Sequence, residues 1–228
     1  MMSNGELLRK IPLFDGLTDA DLSRLAGALR RRTLPANTSL FTADAPGESV
    51  FIILSGTVKI HVEQADGTDV ILAILGPSQT VGEMSPVDSL TRSASVDTLE
   101  QTTLLWMSRA SFQSCLRSMP EMAFNLVRIL SQRLRLSNAQ VQALAALDVP
   151  GRVARQILAF AEEYGTPVVG GTLIPLRLTQ TDLADMVGAS RVSVNHALVE
   201  FRQHGYLSVD SKHHITVHDA TALNGYLG

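Results

Sequence analysis

Two short segments carry the residue types needed to hold a sugar phosphate. They are Val81-Gly82-Glu83-Met84-Ser85 and, nine residues beyond the glutamate, Arg92-Ser93-Ala94. A glycine lets a ligand approach the main-chain amide closely, and a carboxylate accepts hydrogen bonds from ribose hydroxyls. An arginine offers a planar fork to a phosphodiester, and a serine hydroxyl can add to it. The competing reading is a solvated ion pair between Glu83 and Arg92 on two loops, which would have little consequence.

The remaining chemistry of the chain narrows the function classes. No nucleophile is paired with a base, and the single cysteine, Cys115, lies in an apolar helical pattern as a small core residue. One cysteine also excludes an internal disulfide framework and a four-cysteine zinc or iron-sulfur site. His213, His214 and His218 are grouped, but no carboxylate is arranged around them, so they read as a solvated loop. Neither an enzyme nor a metal protein is therefore expected. No apolar run approaches the roughly 20 residues needed to cross a bilayer, and Met1-Met2-Ser3-Asn4-Gly5 has no basic segment leading into an apolar core. A cytoplasmic protein without membrane partners is expected. At 228 residues and 45% hydrophobic content, the chain can build one large or two modest cores. Its net charge of -3 does not by itself advertise nucleic-acid binding.

The elements that must position these residues follow from periodicity. Residues 6–29 read as two short helices, the second capped by Thr18 and closed by Arg30-Arg31-Arg32, whose charges would complement the helix dipole. Residues 49–54, 57–62, 70–75 and 103–107 are short runs of branched and aromatic residues separated by glycine-bearing turns, the pattern of an antiparallel barrel or roll. This sets Gly82 to Ala94 in a strand-and-turn context with a polar excursion at 85–91. A short helix over 110–117 precedes a stretch, 121–147, without glycine or proline. In it Ala123, Val127, Leu130, Leu134, Ser137, Val141 and Leu144 recur at alternating spacings of four and three, a heptad seam that predicts a homodimer. Ser137 is the polar member, serving either register or a ligand. Asp148-Val149-Pro150-Gly151 breaks the helix as a hinge, and 152–164 forms a new amphipathic helix followed by a hairpin around Gly170-Gly171.

A second constellation follows. Thr179 can cap a helix carrying Leu183, Ala184 and Val187 and ended by Gly188, and Ser190 can cap another carrying Val194, Ala197, Leu198 and Phe201. The small residue, the glycine four positions on and the valine six beyond it have helix-turn-helix spacing. The outward face of the second helix presents Arg191, Val192 and His196, flanked by Ser193 and Asn195, groups that can meet base edges in a major groove. Strands near 206–209 and 214–217 would form a wing bearing Lys212. Thr179, Ser190, Arg191, Val192, Ser193, Asn195, His196 and Lys212 are the candidate contacts to double-stranded DNA. From Pro150 onward there are only six Lys/Arg against seven Asp/Glu, so modest non-specific affinity is expected.

Across nearly its whole length the chain resembles bacterial transcription regulators of the cyclic AMP receptor protein and FNR family. The resemblance rests on Ile11-Pro12-Leu13-Phe14-Asp15-Gly16-Leu17, residues 47–56, Leu147-Asp148-Val149-Pro150-Gly151-Arg152 and Val187-Gly188-Ala189-Ser190-Arg191. It implies an α+β fold: a β-roll of the cyclic-nucleotide-binding type with N-terminal helices (1–119), a long dimerisation helix (120–148) and a C-terminal winged helix-turn-helix (149–228). Gly82-Glu83-Met84 and Arg92-Ser93-Ala94 are similar to the family's phosphate-binding cassette, with methionine in place of leucine. The resemblance implies that Glu83 holds the ribose 2'-hydroxyl while Arg92 and Ser93 hold the cyclic phosphate. Arg133 matches an arginine near the nucleotide, and Ser137 and Asn138 match a threonine-serine pair that contacts the base from both subunits. Cyclic AMP is the implied effector, with cyclic GMP open because Asn138 offers both donor and acceptor. RNA polymerase is a further implied partner. The recognition helix departs from the cyclic AMP receptor protein, with Val192 where that protein has glutamate, so its half-site is not transferred. The iron-sulfur branch is disfavoured because its N-terminal cysteines are absent. Two alternatives stay open: a member sensing another ligand or a gas through haem, with His61 placed on a strand surface, and a nucleotide-binding module with little DNA activity.

Overall fold

The computed structural model describes residues 4–228. Its contacts divide the chain into two compact units: the chain up to Val62 with Ile74–Leu136, and Glu63–Ala73 with Ser137–Gly228.

The first unit opens with α1 (Asn4–Leu8), a 3-10 turn at Pro12–Phe14 and α2 (Asp19–Ala28). Thr18 caps α2, its hydroxyl accepting from the Asp21 amide at 3.2 Å, as its position before an acidic first turn leads one to expect. In chain order the strands β1 (Arg30–Leu34), β2 (Ser39–Phe41), β3 (Ser49–Ser55), β4 (Val58–Glu63), β5 (Asp69–Leu75) and β6 (Thr80–Val81) follow, with Asp69–Ala73 of β5 counted in the second unit. Next come α3 (Met84–Asp88), β7 (Ser95–Thr98), β8 (Thr102–Ser108) and α4 (Arg109–Ser118). The strands form two antiparallel four-stranded sheets, ordered β1-β8-β3-β6 and β2-β7-β4-β5. The helices close one face of the first sheet. Leu13, Phe14, Leu25, Val50, Ile52, Met107, Phe112 and Met122 meet in one core that also takes in Cys115. Burial pushes the Cys115 thiol up, which keeps it protonated and suits it to packing.

Three local expectations are corrected here. Arg30-Arg31-Arg32 does not close α2 but opens β1, paired with β8 in the register Arg31↔Leu105. Leu29 already turns extended, and pairing with β8 satisfies backbone groups that a longer helix would otherwise hold. Only Arg30 caps α2, donating to the Gly27 carbonyl at 2.7 Å. The excursion at 85–91 contains a helical turn, α3, so Glu83 stands at a helix N-cap rather than in a plain turn. His61, expected at a strand surface, is buried on β4, its Nε2 2.9 Å from an Asp97 carboxylate oxygen on the paired strand β7.

The helix α5 (Pro120–Ala146) is about 40 Å long at 1.5 Å per residue. Of its seam, Val127, Leu134, Val141 and Leu144 are between 54% and 66% exposed, whereas Ala123 and Leu130 are partly buried.

The second unit contains α6 (Val149–Tyr164), β9 (Thr166–Val168), β10 (Gly171–Ile174), α7 (Gln180–Val187), α8 (Arg191–Gln203), β11 (Leu207–Val209), β12 (Ile215–Val217) and α9 (Ala220–Asn224). Its sheet runs β11-β12-β10-β9. Pro150-Gly151, expected at the helix break, lies within the first turn of α6. Asp148 caps α6 by accepting from the Gly151 amide at 2.9 Å, and Pro150 sits in the first turn, where its missing N–H costs nothing. The break falls one step earlier, at Leu147-Asp148. Gly151 is needed for packing, since a Cβ there would lie 2.7 Å from the Tyr226 carbonyl. Val153, Ile157 and Phe160 of α6 are buried, as are Leu183 and Ala184 of α7 and Val194, Leu198 and Phe201 of α8.

Candidate functional site

The cassette begins where β6 runs into α3. Gly82 has φ +77, and a Cβ there would lie 2.6 Å from Nη1 of Arg92 and 3.2 Å from the Phe41 ring. Glycine is therefore demanded both by backbone conformation and by the close approach of the arginine. Glu83 follows and is 2% exposed. One carboxylate oxygen accepts from Arg133 Nη1 at 2.8 Å, and Arg133 Nη2 donates to the Thr80 carbonyl at 2.5 Å. The ion pair that Glu83 makes is thus not the competing loop pair with Arg92 but one with an arginine 50 residues away on α5.

Arg92 is 3% exposed. Its Nη1 donates to the Gly82 carbonyl and its Nη2 to the Ser49 carbonyl, both at 2.7 Å, and its guanidinium lies 4.0 Å over the Phe41 ring. Burial holds its pKa below the ordinary arginine value, while Glu83 and Glu48 pull the other way. These bonds run to neutral carbonyls, so they fix the cation without neutralising it. Two polar atoms of the cassette remain buried without a hydrogen-bond partner among the described residues: the second carboxylate oxygen of Glu83 and Nε of Arg92. One accepts and the other donates. A ligand presenting a hydroxyl and an anionic oxygen has the complementary groups.

The other candidates are placed less uniformly. Ala94 is buried, Met84 is 47% exposed, and Ser93 is exposed with its hydroxyl 4.0 Å from the Met84 sulfur. Ser137 and Asn138 are exposed residues of α5 in the second unit. No residue pattern points directly to Phe41 beneath the guanidinium or to the carbonyls of Ser49 and Thr80. Phe41 follows an ordinary strand pattern, and main-chain acceptors leave no mark in residue types.

In the second unit, Thr179 caps α7 in a capping box with Asp182, so its hydroxyl is spent inside the fold. Gly188 ends α7 at φ +61, and Ser190 caps α8, its hydroxyl also 2.9 Å from that of Ser193. Arg191, Val192 and His196 are exposed on α8, with Val192 at 65%. Asn195 is turned toward α7, accepting from Gln180 Nε2 at 2.8 Å, a partner that only the helix crossing reveals. Lys212 is exposed at the wing tip, where the Asp210 carboxylate accepts from the amides of Lys212 and His214 at 2.8 Å each. Those bonds, that of His214 first, hold the Asp210 carboxyl below the ordinary carboxylate range. The Asp210–His214 and His218–Ser208 contacts occupy ring nitrogens of the expected histidine group, and no set of three metal-ligating side chains converges among the described residues. No helix among them is long and apolar enough to cross a membrane.

Two parts of the chain match known families. Residues 31–119 match the cyclic nucleotide-binding domain family, and residues 151–226 match the Crp-like helix-turn-helix domain family. The chain is 35% identical over 207 residues to a CRP-like cAMP-activated global transcriptional regulator of Mycobacterium tuberculosis, covering 91% of this chain and 92% of that one. It is 30% identical to the cyclic AMP receptor protein of Thermus thermophilus, covering 83% of this chain and 86% of that one. The solved structure of FixK2 from Bradyrhizobium japonicum shares the fold with a TM-score of 0.78 at 19% identity, over 88% of this chain and 98% of that one. With a cyclic-nucleotide-binding roll and a Crp-like helix-turn-helix in one polypeptide, the chain belongs to the cyclic AMP receptor protein/FNR family of DNA-binding transcription regulators.

Proposed function

We propose that this regulator is a homodimer switched by a cyclic nucleotide, cyclic AMP first, which raises its affinity for a specific DNA sequence. The observation that carries the reading is the pair of buried, complementary orphans, the Glu83 carboxylate oxygen and Arg92 Nε, in one glycine-opened cassette. Glu83 would accept from the ribose 2'-hydroxyl, and Arg92 and Ser93 would hold the cyclic phosphate. Met84 and Ala94 would line the cassette. Arg133 holds Glu83 in place through the 2.8 Å ion pair. The names of the Mycobacterium and Thermus relatives support cyclic AMP over cyclic GMP as the effector. Ser137 and Asn138, exposed on α5, are the groups proposed to meet the base, and the exposed apolar stripe of that helix is proposed to pair with its twin.

The mechanism is a population shift. Nucleotide bound against the roll and α5 favours one arrangement of the two long helices, and with it one spacing of the two copies of α8. Carrying such a switch from 1:99 to 99:1 requires the nucleotide to prefer the active state by about 5.5 kcal/mol. Arg191, Val192, Ser193 and His196 then face base edges, Asn195 is braced by Gln180, and Ser190 and Lys212 lie beside the backbone phosphates.

Calorimetric titration with cyclic AMP and cyclic GMP tests the pocket and its base preference together, and a gel shift with promoter DNA, with and without nucleotide, tests the switch. Arg92→Ala should abolish nucleotide binding and the response. Unchanged nucleotide affinity in that variant would refute the pocket.

A further inference from the structure

One side chain in the second unit gathers the carbonyls at two helix ends. Arg152, in the first turns of α6, donates from Nη1 to the Leu147 carbonyl just beyond α5 at 3.1 Å. Its Nε donates to the carbonyl of Val187, the last residue of α7, at 2.8 Å, and its Nη2 to that of Gly188, the α7 C-cap, at 3.3 Å. Helix ends leave carbonyls without amide partners and carry partial negative charge, so a permanent cation with three diverging donors suits them. Two further contacts tighten the junction. The Asp148 cap on the Gly151 amide fixes the turn that bears Arg152. A Cβ on Gly188 would touch Leu144 Cδ2 at 3.4 Å, so the last turn of α5 packs on the turn between α7 and α8. That turn is itself closed by the Ala189 amide donating to the Ala184 carbonyl at 3.1 Å, immediately before the Ser190 cap of α8.

We propose that Arg152 is the positioning residue that carries a displacement of the α5 C-terminal end to the recognition helix. The guanidinium is rigid and planar. Any movement of the Leu147 carbonyl must therefore either break the Nη1 bond or drag the Val187 and Gly188 carbonyls along, and Ser190, the N-cap of α8, lies two residues beyond Gly188. A lysine, whose donors share one atom, cannot span three separate carbonyls. The nucleotide arm of this inference rests on the switch proposed above.

The test compares wild type, Arg152→Met, which keeps the apolar stem, and Arg152→Lys. DNA affinity is measured by fluorescence anisotropy with and without cyclic AMP, nucleotide affinity by calorimetry, and hydrogen exchange by mass spectrometry. Both variants should bind nucleotide within about twofold of wild type and bind DNA without nucleotide nearly as wild type does, while the nucleotide-induced gain in DNA affinity falls at least about tenfold. Exchange at residues 186–190 should respond to nucleotide in wild type and cease to respond in Arg152→Met. A full gain in either variant would overturn the proposal. So would an equal loss of DNA affinity with and without nucleotide, which would make Arg152 merely structural. If wild type binds no cyclic nucleotide, the switch proposed above fails, and Arg152 is judged by exchange alone. Arg152→Met must then loosen 144–149 and 186–190 together, and loosening of only one segment would overturn it.

Discussion

Replacing Glu83 by glutamine isolates the chemistry assigned to its second carboxylate oxygen. The side chain is 2% exposed and keeps its shape, and the amide oxygen can still accept from Arg133. What changes is the charge and the atom at the orphan position, where an acceptor becomes an N–H donor. Arg133 is a quarter exposed, so solvent screens its lost partner and folding stability should fall by no more than about 1 kcal/mol. Removing Arg133 instead leaves a buried carboxylate without its cation, which costs about 3 kcal/mol or more. For nucleotide the order reverses. Losing a charge-assisted hydrogen bond to the ribose costs about 1.5–3 kcal/mol, roughly 10- to 150-fold in affinity. The assay is a thermodynamic cycle by calorimetry, with wild type and Glu83→Gln each titrated with cyclic AMP and with its 2'-deoxy analogue. Deoxygenation should weaken binding to wild type by that factor and have much less effect on the variant, because the partner is already gone. If the 2'-deoxy analogue binds wild type as well as cyclic AMP does, or if the two losses simply add, Glu83 does not hold the ribose hydroxyl.

Further outcomes follow from the same geometry. Gly82→Ala places a Cβ at φ +77 against Arg92 Nη1, so it should destabilise the fold by about 1–3 kcal/mol in denaturant titrations and lower nucleotide affinity by displacing Arg92. Lys212→Ala should weaken binding to all DNA sequences alike and reduce the slope of log K against log salt by about 1, whereas Val192→Ala should relax selection at one base pair by about 1 kcal/mol. The Tyr226 hydroxyl donates to a Glu200 carboxylate oxygen at 2.5 Å, a bond that, with burial, pushes its pKa up to about 12. A raised folded pKa means stability fully present below the ordinary tyrosine value and lost as pH climbs toward the folded one. The stability gap between wild type and Tyr226→Phe should therefore hold up to about pH 10 and close by about pH 12. A gap that widened across that window would contradict the assignment.

What could be read from the chain alone is what a few neighbouring residues decide. Thr18, Thr179 and Ser190 cap helices because each precedes an amphipathic run and its hydroxyl can reach an amide within the next turn. Gly188 ends α7 because it can adopt a left-handed conformation at little cost. The strands of the roll and the wing follow from branched residues between turn formers. The cassette residues, too, were visible as types, since glycine, carboxylate and arginine announce their chemistry. The tertiary structure decided which of them meet. Arg133 reaches Glu83 because α5 runs past the cassette within the first unit, and no local pattern distinguishes that arginine from its neighbours Arg128 and Arg135. The arginines at 30–32 became a strand because β8 offered their backbone a partner from more than 70 residues away, a pairing that overrides local preference. Likewise Pro150-Gly151 looks like a break when read alone. It is the start of a helix because Asp148 caps it and the Tyr226 carbonyl needs the space a glycine leaves. Phe41 under Arg92 and the three carbonyls around Arg152 had no sequence signature at all, because stacking and main-chain acceptance are properties of where a residue lies.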